Sequence, residues 1–328
     1  MAKKGNFIIG ILLAAIIVAL VFYPKDTPSQ ASSPIRTASL RKEKKEQKTL
    51  YIAFIPHIHS KKLVERWQPI EPYLENELDM PVNITTRPSY REITTALTNG
   101  DVDVCHLGSF AYILTCREIQ NREIKISPLV RRIKHGTSNY HSLIVVRKDS
   151  YITDIKDLKG KKFAFTDKES TSGCLLPLVM MKKKGINPIS YFSEVSFMAN
   201  NSSALVAVKN NWFNAVAITD SVWQDSNQKD REDLEIFWKS EAVPLGPFCV
   251  RDDLDKELVN KIKKAFLKIG KTKDTRELAK HLRDHGGIEG FEEARDKEYE
   301  VIRKEYEVVR EEYEVICEKY KDIHGGKK

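Results

Sequence analysis

The chain has 328 residues, of which 41% are hydrophobic, so it can support two compact lobes with appendages and is too long for one small fold. Its formal net charge of +8 and isoelectric point near 9.0 suit an anionic ligand, a nucleic acid or an acidic membrane surface. A nucleic-acid partner is disfavoured, because the chain has no face of interleaved basic and aromatic residues. Charge alone does not choose between the other two.

An apolar segment near the N-terminus predicts a membrane helix. Phe7 to Tyr23 contains no charge, follows Lys3 and Lys4, and is just long enough to span a bilayer. Neither a lipobox cysteine nor a small-x-small cleavage site follows it, which favours an uncleaved signal anchor in residues 1–25 over a removed signal peptide. The polar residues 26–48 predict a disordered tether. We therefore expect a folded body on the periplasmic or extracellular face of the cytoplasmic membrane.

The folded body begins with alternating strand and helix patterns, which are typical of an α/β fold with a parallel sheet. Pro56 ends the first strand pattern and Gly100 ends the second helix pattern. The predicted elements are the strands 50–56, 82–86 and 101–107 and the helices 63–74 and 90–99.

The same alternation returns after about residue 145 and predicts a second lobe. A strand over residues 141–146 precedes it. The predicted elements of the second lobe are the strands 162–166, 195–197 and 215–218 and the helices 174–184 and 202–209. An amphipathic helix over Glu257 to Ile269 is assigned back to the first lobe. The predicted boundaries are residues 49–145 plus 245–290 for the first lobe and 146–244 for the second.

Residues 291–324 contain near-identical heptads, which predict a helix with a coiled-coil seam. The seam residues are Tyr299, Ile302, Tyr306, Val309, Tyr313, Ile316 and Tyr320. Such a seam would form a homo-oligomer. The alternative is a single helix that packs on its own protein, because tyrosine is unusual at a seam and the helix is short.

The five cysteines have neither CxxC nor other metal-ligand spacing, so no metal site is expected. A pair such as Cys105 and Cys116 could form a disulfide in an oxidising compartment. The alternative is that the cysteines are buried thiols. We expect no cofactor.

The stretch Phe163 to Gly173 places three hydroxyl residues between a strand and an apolar helix. Ser170, Thr171 and Ser172 offer donors where the first backbone N–H groups of the helix are unpaired. Such a turn can hold an anion without lysine or arginine. The alternative is that Ser170 or Thr171 merely caps the helix.

This stretch resembles the signature of the phosphonate- and phosphite-type periplasmic binding proteins of ABC transporters, the PhnD-like family. Further pieces agree with that family in order and spacing, and the resemblance covers about residues 50–269. These pieces are Pro88-Ser-Tyr90, Val102 to Tyr112, Tyr140 to Val146 with Asp149-Ser150, and Asp157-Leu-Lys-Gly160. The resemblance implies a type II periplasmic-binding-protein fold, with two hinged lobes of mixed sheet and helices that grip a tetrahedral oxyanion.

The resemblance also implies site residues. Tyr90 and Tyr112 match two ligand-binding tyrosines, and Ser170, Thr171 and Ser172 match the oxyanion cradle. The chain departs from the family at Asn201, which takes a histidine position and is either a ligand contact or a helix cap.

A second departure concerns an amine-bearing ligand. Leu245-Gly246 stands where relatives that bind aminophosphonates place carboxylates. A small ligand without an amine is therefore expected, such as phosphite, methylphosphonate or phosphate.

The resemblance implies a receptor that presents its ligand to an ABC permease. One alternative is a sensor that acts on a histidine kinase or chemoreceptor, since the tether and heptads are not obviously needed for transport. Another is a scaffold with a degenerate pocket. An enzyme is disfavoured, because the chain has no Gly-x-Ser-x-Gly, Walker or dinucleotide motif.

Overall fold

The computed structural model describes residues 48–54, 60–87 and 89–321. The predicted anchor and nearly all of the predicted tether lie outside these residues. No described helix combines the length and the hydropathy that crossing a bilayer requires.

The described strands and helices are numbered in chain order. The strands are β1 (Leu50–Phe54), β2 (Val82–Thr86), β3 (Val104–His106), β4 (Ile126–Lys134), β5 (Asn139–Tyr140), β6 (Ser142–Arg147), β7 (Lys162–Phe165), β8 (Glu194–Phe197), β9 (Ala215–Thr219), β10 (Leu234–Lys239), β11 (Val243–Pro244), β12 (Pro247–Arg251) and β13 (Ile288–Glu293). The helices are α1 (Ser60–Trp67), α2 (Ile70–Leu78), α3 (Tyr90–Asn99), α4 (Ser109–Glu118), α5 (Leu176–Lys183), α6 (Pro188–Tyr191), α7 (Asn201–Lys209), α8 (Asp220–Asp225), α9 (Gln228–Arg231), α10 (Lys256–Lys268), α11 (Arg276–Gly286) and α12 (Glu300–Lys319).

The first lobe is built on a mixed sheet with the described strand order β13-β4-β12-β3-β1-β2. β1 pairs in parallel with β2 and β3, whereas β12, β4 and β13 are antiparallel additions. Side chains alternate between the two faces of β1. Ile52 and Phe54 pack with Trp67 and Phe266 on one face, and Ala53 lies on the other face toward α3 and α4. Helices therefore cover both faces of this sheet.

The second lobe repeats this arrangement in a sheet of described order β10-β6-β9-β7-β8. β7 pairs in parallel with β8 and β9, and β6 and β10 are antiparallel. Val216 and Ile218 face α7, while Phe163 and Phe165 face α5. The predicted mixed sheets flanked by helices are confirmed.

The two lobes are joined by a pair of short crossover strands. β5 leads from the first lobe to the second, β11 leads back, and the two strands pair antiparallel. The predicted boundary after residue 145 was too late, because all of β6 belongs to the second sheet. The chain crosses at Tyr140 and His141 instead. The return crossing at Val243–Pro244 lies where the second lobe was predicted to end.

Local sequence signals explain several element ends. The Ser89 side chain accepts a hydrogen bond from Glu92 N and begins α3, and Gly100 ends that helix with a φ of 82°. In α10, Asp255 accepts from Leu258 N at the first turn, while Ile262 and Phe266 pack under the first sheet. The sequence assigned this helix to the first lobe, and its buried residues pack with that lobe's sheet.

The heptad residues do not form an exposed seam. α12 begins at Glu300 rather than 291, because β13 and a short helical turn occupy the residues before it. The seam residues of α12 are buried against the same chain, where Phe110 of α4 meets Tyr306 and Tyr313 at ring distances of 5.3 and 5.2 Å. The coiled-coil prediction was therefore wrong, and the alternative of a helix packed on its own protein describes the structure.

α12 contacts both lobes. Arg117 of α4, in the first lobe, pairs with Glu307 at 3.3 Å, and Lys183 of α5, in the second lobe, pairs with Glu305 at 3.2 Å. The buried side of α12 shares one continuous apolar cluster with residues of both sheets. The helix thus spans the junction between the lobes.

All five cysteines are free thiols. The disulfide suggested for Cys105 and Cys116 is absent. Cys105 lies directly opposite Cys249 in the pairing of β3 with β12. Cys105, Cys174 and Cys249 are buried and Cys116 and Cys317 are half-buried, which agrees with the alternative of mostly buried structural thiols.

Candidate functional site

A cavity of about 120 Å³ lies between the lobes. Pockets that enclose drug-sized ligands usually measure about 300–1,000 Å³, so this one suits a small ligand. Its lining is polar and comes from both lobes and from the crossover strands. The lining residues are Arg66, Tyr90, His106, Gly108, Arg132, Lys134, Tyr140, Ser170, Thr171, Ser172, Asn201, Thr219, Ser221, Val222, Asp225, Leu245 and Gly246.

The second-lobe side of the cavity is the predicted hydroxyl turn. β7 ends at Phe165, and the chain then closes a tight turn in which Thr166 N donates to Gly173 O at 3.0 Å. A Cβ atom on Gly173 would lie 1.5 Å from Thr166 Oγ1, so any other residue would displace the buried Thr166 side chain. Ser170 Oγ accepts from Gly173 N at 3.0 Å. Residues Thr171–Leu175 form one π-helical turn that runs directly into α5. Ser170 caps this turn, as the alternative held, and its hydroxyl proton is still available to a ligand.

The first-lobe side of the cavity brings a second helix start to the same place. Gly108 is the N-cap of α4, and Phe110 N donates to Thr171 Oγ1 at 2.9 Å. Ser109 Oγ donates to Pro244 O at 2.6 Å, which ties the helix start to β11. The lobes thus touch at Thr171, next to two helix N-termini that favour negative charge.

Two buried phenols face this region. Tyr90 is the first residue of α3, and Tyr140 belongs to β5 and hydrogen-bonds with Thr171 and Ser109. Burial raises the pKa of Tyr140 to about 12, and burial together with the charges of Asp167 and Glu169 raises that of Tyr90 well above 10. Both phenols therefore remain protonated at neutral pH and can donate to an anion.

Tyr112 is placed elsewhere. Its hydroxyl donates to Asp296 Oδ1 at 2.6 Å, its ring packs on Tyr299 at 5.2 Å, and it is not a lining residue. The structure therefore does not support the predicted ligand contact of Tyr112. The second phenol among the lining residues is Tyr140.

Asn201 lines the cavity but does not cap α7. The cap is Asn200, whose side chain accepts from Ser203 N at 2.9 Å. Asn201 Oδ1 accepts from Thr219 N at 2.9 Å, which orients the side chain. Its amide nitrogen therefore carries the donors that an anion needs.

The cavity also contains three buried cations that the sequence did not single out. They are Arg66 at the end of α1 and Arg132 and Lys134, which alternate along β4 and so share one face. The period-two spacing of Arg132 and Lys134 was the signal that could have found them. The prediction that the turn needs neither lysine nor arginine is therefore incomplete for the cavity as a whole.

Burial lowers the pKa values of all three cations, Arg66 among them. It lowers the pKa of Arg132 to about 10, and the positive charge of Arg66 acts in the same direction. It lowers the pKa of Lys134 to about 8, although Asp225 acts in the opposite direction. These shifts mean that the protein holds these charges at a cost, which an anion in the cavity would offset.

One carboxylate, Asp225 at the end of α8, is among the lining residues. It accepts from Lys134 Nζ at 3.2 Å and lies 3.2 Å from His135 Nε2, so it links the second lobe to the first. Gly246 leaves no room for a further acid, because a Cβ atom there would lie 2.0 Å from Leu107 O. His106 of β3 also lines the cavity.

Comparison with protein families gives a decisive match. A family model described as "ABC transporter, phosphonate, periplasmic substrate-binding protein" matches residues 52–299. The chain belongs to this family. The resemblance found in the sequence is thereby confirmed.

Curated members of the family extend over most of the chain. The phosphate-import protein PhnD of Mycolicibacterium smegmatis is 28% identical over 232 residues, which cover 66% of this chain and 71% of that protein. The phosphonates-binding periplasmic protein of Escherichia coli is 24% identical over 296 residues, which cover 88% of this chain and 83% of that protein. These relatives are binding proteins for transport, and the family places the folded body in the periplasm.

Solved structures confirm the type II fold. PhnD1 from Prochlorococcus marinus, in complex with methylphosphonate, has a TM-score of 0.70 at 22% identity and covers 80% of this chain and 98% of its own. A binding component of an ABC phosphonate transporter from Pseudomonas aeruginosa has a TM-score of 0.69 at 21% identity and covers 79% of this chain and 86% of its own. The family and the fold together make this chain a substrate-binding protein of an ABC transporter that captures a small oxyanion between its lobes.

Proposed function

We propose that the substrate is a small phosphorus oxyanion without an amine, which the two lobes hold in the cavity and present to an ABC permease. The observation that carries this proposal is the chemistry of the lining. Hydroxyls at two helix starts face one region of the cavity, and buried cations line another.

The proposed ligand contacts are donors from both lobes and from the crossover. They are Tyr90, Tyr140, Ser170, Thr171, Ser172, Asn201 and Arg132. Ser170 already accepts a backbone hydrogen bond, so its own proton can go to the ligand. Thr171 accepts from Phe110 N and is also hydrogen-bonded with Tyr140, so the ligand replaces one of these two hydroxyls as the other's partner. A tetrahedral oxyanion accepts several such bonds at once, and hydrogen bonds to a charged group are worth about 1.5–3 kcal/mol each.

An ammonium group would be disfavoured for two reasons. Gly246 excludes an acid where the ammonium of an aminophosphonate would need one. Arg66, Arg132 and Lys134 would also repel it. Phosphite, phosphate and alkylphosphonates remain as the favoured ligands.

Calorimetric titration of the full chain with phosphite, phosphate, methylphosphonate and 2-aminoethylphosphonate tests this proposal. We expect at least one of the first three to bind with a dissociation constant in the micromolar range or below, and 2-aminoethylphosphonate to bind most weakly. If none binds more tightly than about 1 mM, the proposal fails, because that corresponds to only about 4 kcal/mol of binding free energy.

We also propose that the apolar segment Phe7–Tyr23 anchors the protein in the cytoplasmic membrane. Its length and lack of charge support this. The protein should then stay with the membrane fraction through an alkaline wash, and release by osmotic shock would contradict the anchor. The comparisons give no support to the alternative of a ligand sensor.

A further inference from the structure

The cavity has two chemically different ends, and this difference bears on the substrate if the proposed function is right. At one end, Thr171 is hydrogen-bonded by Phe110 N and Tyr140, and hydroxyls and helix N-termini surround it. At the other end, Arg66 and Lys134 lie near Asp225. Arg132 is within electrostatic range of both ends. Its positive charge lowers the pKa of Tyr90 and Tyr140 at one end and the pKa of Lys134 at the other.

The cationic end carries more positive charge than the protein neutralises. Three cations line the cavity with one carboxylate, and Asp225 is engaged with Lys134 and with His135 outside the lining. Arg132 is only 8% exposed, and its Nε has no hydrogen-bond partner among the residues that the structure describes. A buried guanidinium with an unused donor points to an anionic group that occupies this end.

The hydroxyl end can hold an oxyanion without using Arg66 or Lys134. Thr171 and Ser172 lie at a helix start, where backbone N–H groups and the helix dipole favour negative charge. One oxyanion at that end would leave Arg66 and Lys134 with a single carboxylate, Asp225, between them. The cavity is therefore built for more negative charge than a single small head group brings.

We infer that the cavity accepts a phosphonate whose short carbon chain ends in a second anionic group, such as a carboxylate. The phosphonate lies at the hydroxyl end, the carboxylate lies at Arg66 and Lys134, and Arg132 is within range of both groups. The volume of about 120 Å³ restricts the chain to a few carbons. Arg66 and Asp225 also line a wider surface groove, so the second anionic group lies toward the mouth of the cavity.

Three two-carbon phosphonates of similar size test this inference, because they differ mainly in the charge of the tail. Ethylphosphonate has a neutral tail, phosphonoacetate a negative one and 2-aminoethylphosphonate a positive one. In calorimetric titrations of the full chain, we expect phosphonoacetate to bind about tenfold or more tightly than ethylphosphonate, and 2-aminoethylphosphonate to bind more weakly than both.

The variant Arg66→Gln tests whether the cationic end contributes to binding independently of the hydroxyl end. It removes the charge but keeps an amide donor toward His285 O, which Arg66 Nε contacts at 2.8 Å. We expect it to weaken phosphonoacetate about tenfold more than it weakens ethylphosphonate. Arg117→Gln removes an exposed charge on α4 outside the cavity lining and should change neither affinity. If Arg66→Gln does not fold, as judged by circular dichroism, Lys134→Gln replaces it with the same expectation.

The outcomes distinguish the inference from the function on which it rests. Equal affinity for phosphonoacetate and ethylphosphonate, or an equal loss of both in Arg66→Gln, would overturn the second anionic subsite and leave the proposed function standing. If no phosphonate, phosphite or phosphate binds, the proposed function itself fails.

Discussion

Tyr90 and Tyr112 are the same residue type, and both are buried in the first lobe, yet only one lines the cavity. Tyr90 is the first residue of α3 and faces the space between the lobes. Tyr112 lies one turn into α4 and donates to Asp296 Oδ1 at 2.6 Å. Both match the family pattern in the sequence. Which of them faces the ligand depends on how each helix packs, and this the sequence does not show.

The substitution Tyr90→Phe should weaken ligand binding. It removes one hydroxyl and leaves the ring, so a desolvated anion loses a donor at a cost of about 1–3 kcal/mol, or roughly 5- to 150-fold in affinity. Calorimetric titration with methylphosphonate measures this loss.

Tyr112→Phe is the matched control. It should leave the affinity unchanged and lower the melting temperature, because the hydrogen bond to Asp296 is lost. A loss of affinity in Tyr112→Phe, with none in Tyr90→Phe, would show that the cavity described here is not the binding site.

The buried carboxyl of Glu169 should make the stability of the protein depend on pH. Burial raises its pKa to about 8, and the negative charges of Asp167 and Glu118 act in the same direction. A carboxyl whose folded-state pKa lies above its unfolded value stabilises the fold most at low pH, and this contribution is lost as the pH rises from about 4.5 to 8.

Glu169→Gln should therefore stabilise the protein increasingly over that range. Its melting temperature should match that of the wild type near pH 4.5 and exceed it by a few degrees at pH 8 and above. If the variant and the wild type differ in melting temperature by the same amount at both pH values, the raised pKa of Glu169 is contradicted.

At the scale of secondary structure, α12 shows what a repeat can and cannot predict. The heptads correctly indicate a helix with one apolar side. They do not indicate which surface covers that side, because a seam of Tyr, Ile and Val buries equally well against a second copy or against α4 and α5. The structure places both of these helices within reach of the same chain.

Replacing Tyr313 with alanine tests this packing. Tyr313 is 7% exposed and lies against Phe110, so its loss should destabilise the fold by about 3–5 kcal/mol, as for other large aromatic side chains. Denaturant unfolding measures this change. The midpoint should not depend on protein concentration. A midpoint that rises with concentration in the wild type, and no longer does so in Tyr313→Ala, would restore the coiled-coil interpretation.

The strands divide into those that the sequence predicts and those that it does not. The parallel strands β1 to β3 and β7 to β9 carry apolar or β-branched residues and are predictable. β4 is missed, because Arg131, Arg132 and Lys134 obscure its apolar pattern. β13 is missed for a similar reason, since Glu289, Glu292 and Glu293 dominate it.

At the scale of the whole molecule, the cavity combines residues that lie far apart in the sequence. Arg66 comes from α1, Arg132 from β4 and Asp225 from α8, and they meet only because the lobes close over β5 and β11. The hydroxyl end could be predicted, because Ser170, Thr171 and Ser172 form one short motif. The cationic end could not, since its members share no local pattern.

The central claim is that this cavity binds the oxyanion, and a crystal structure of the full chain grown with methylphosphonate tests it most directly. We predict the phosphonate oxygens within hydrogen-bond distance, about 2.5–3.2 Å, of the Thr171 and Ser172 hydroxyls, Tyr90 Oη and the Arg132 guanidinium. Methylphosphonate bound at another site, with these four side chains free of it, would contradict the claim.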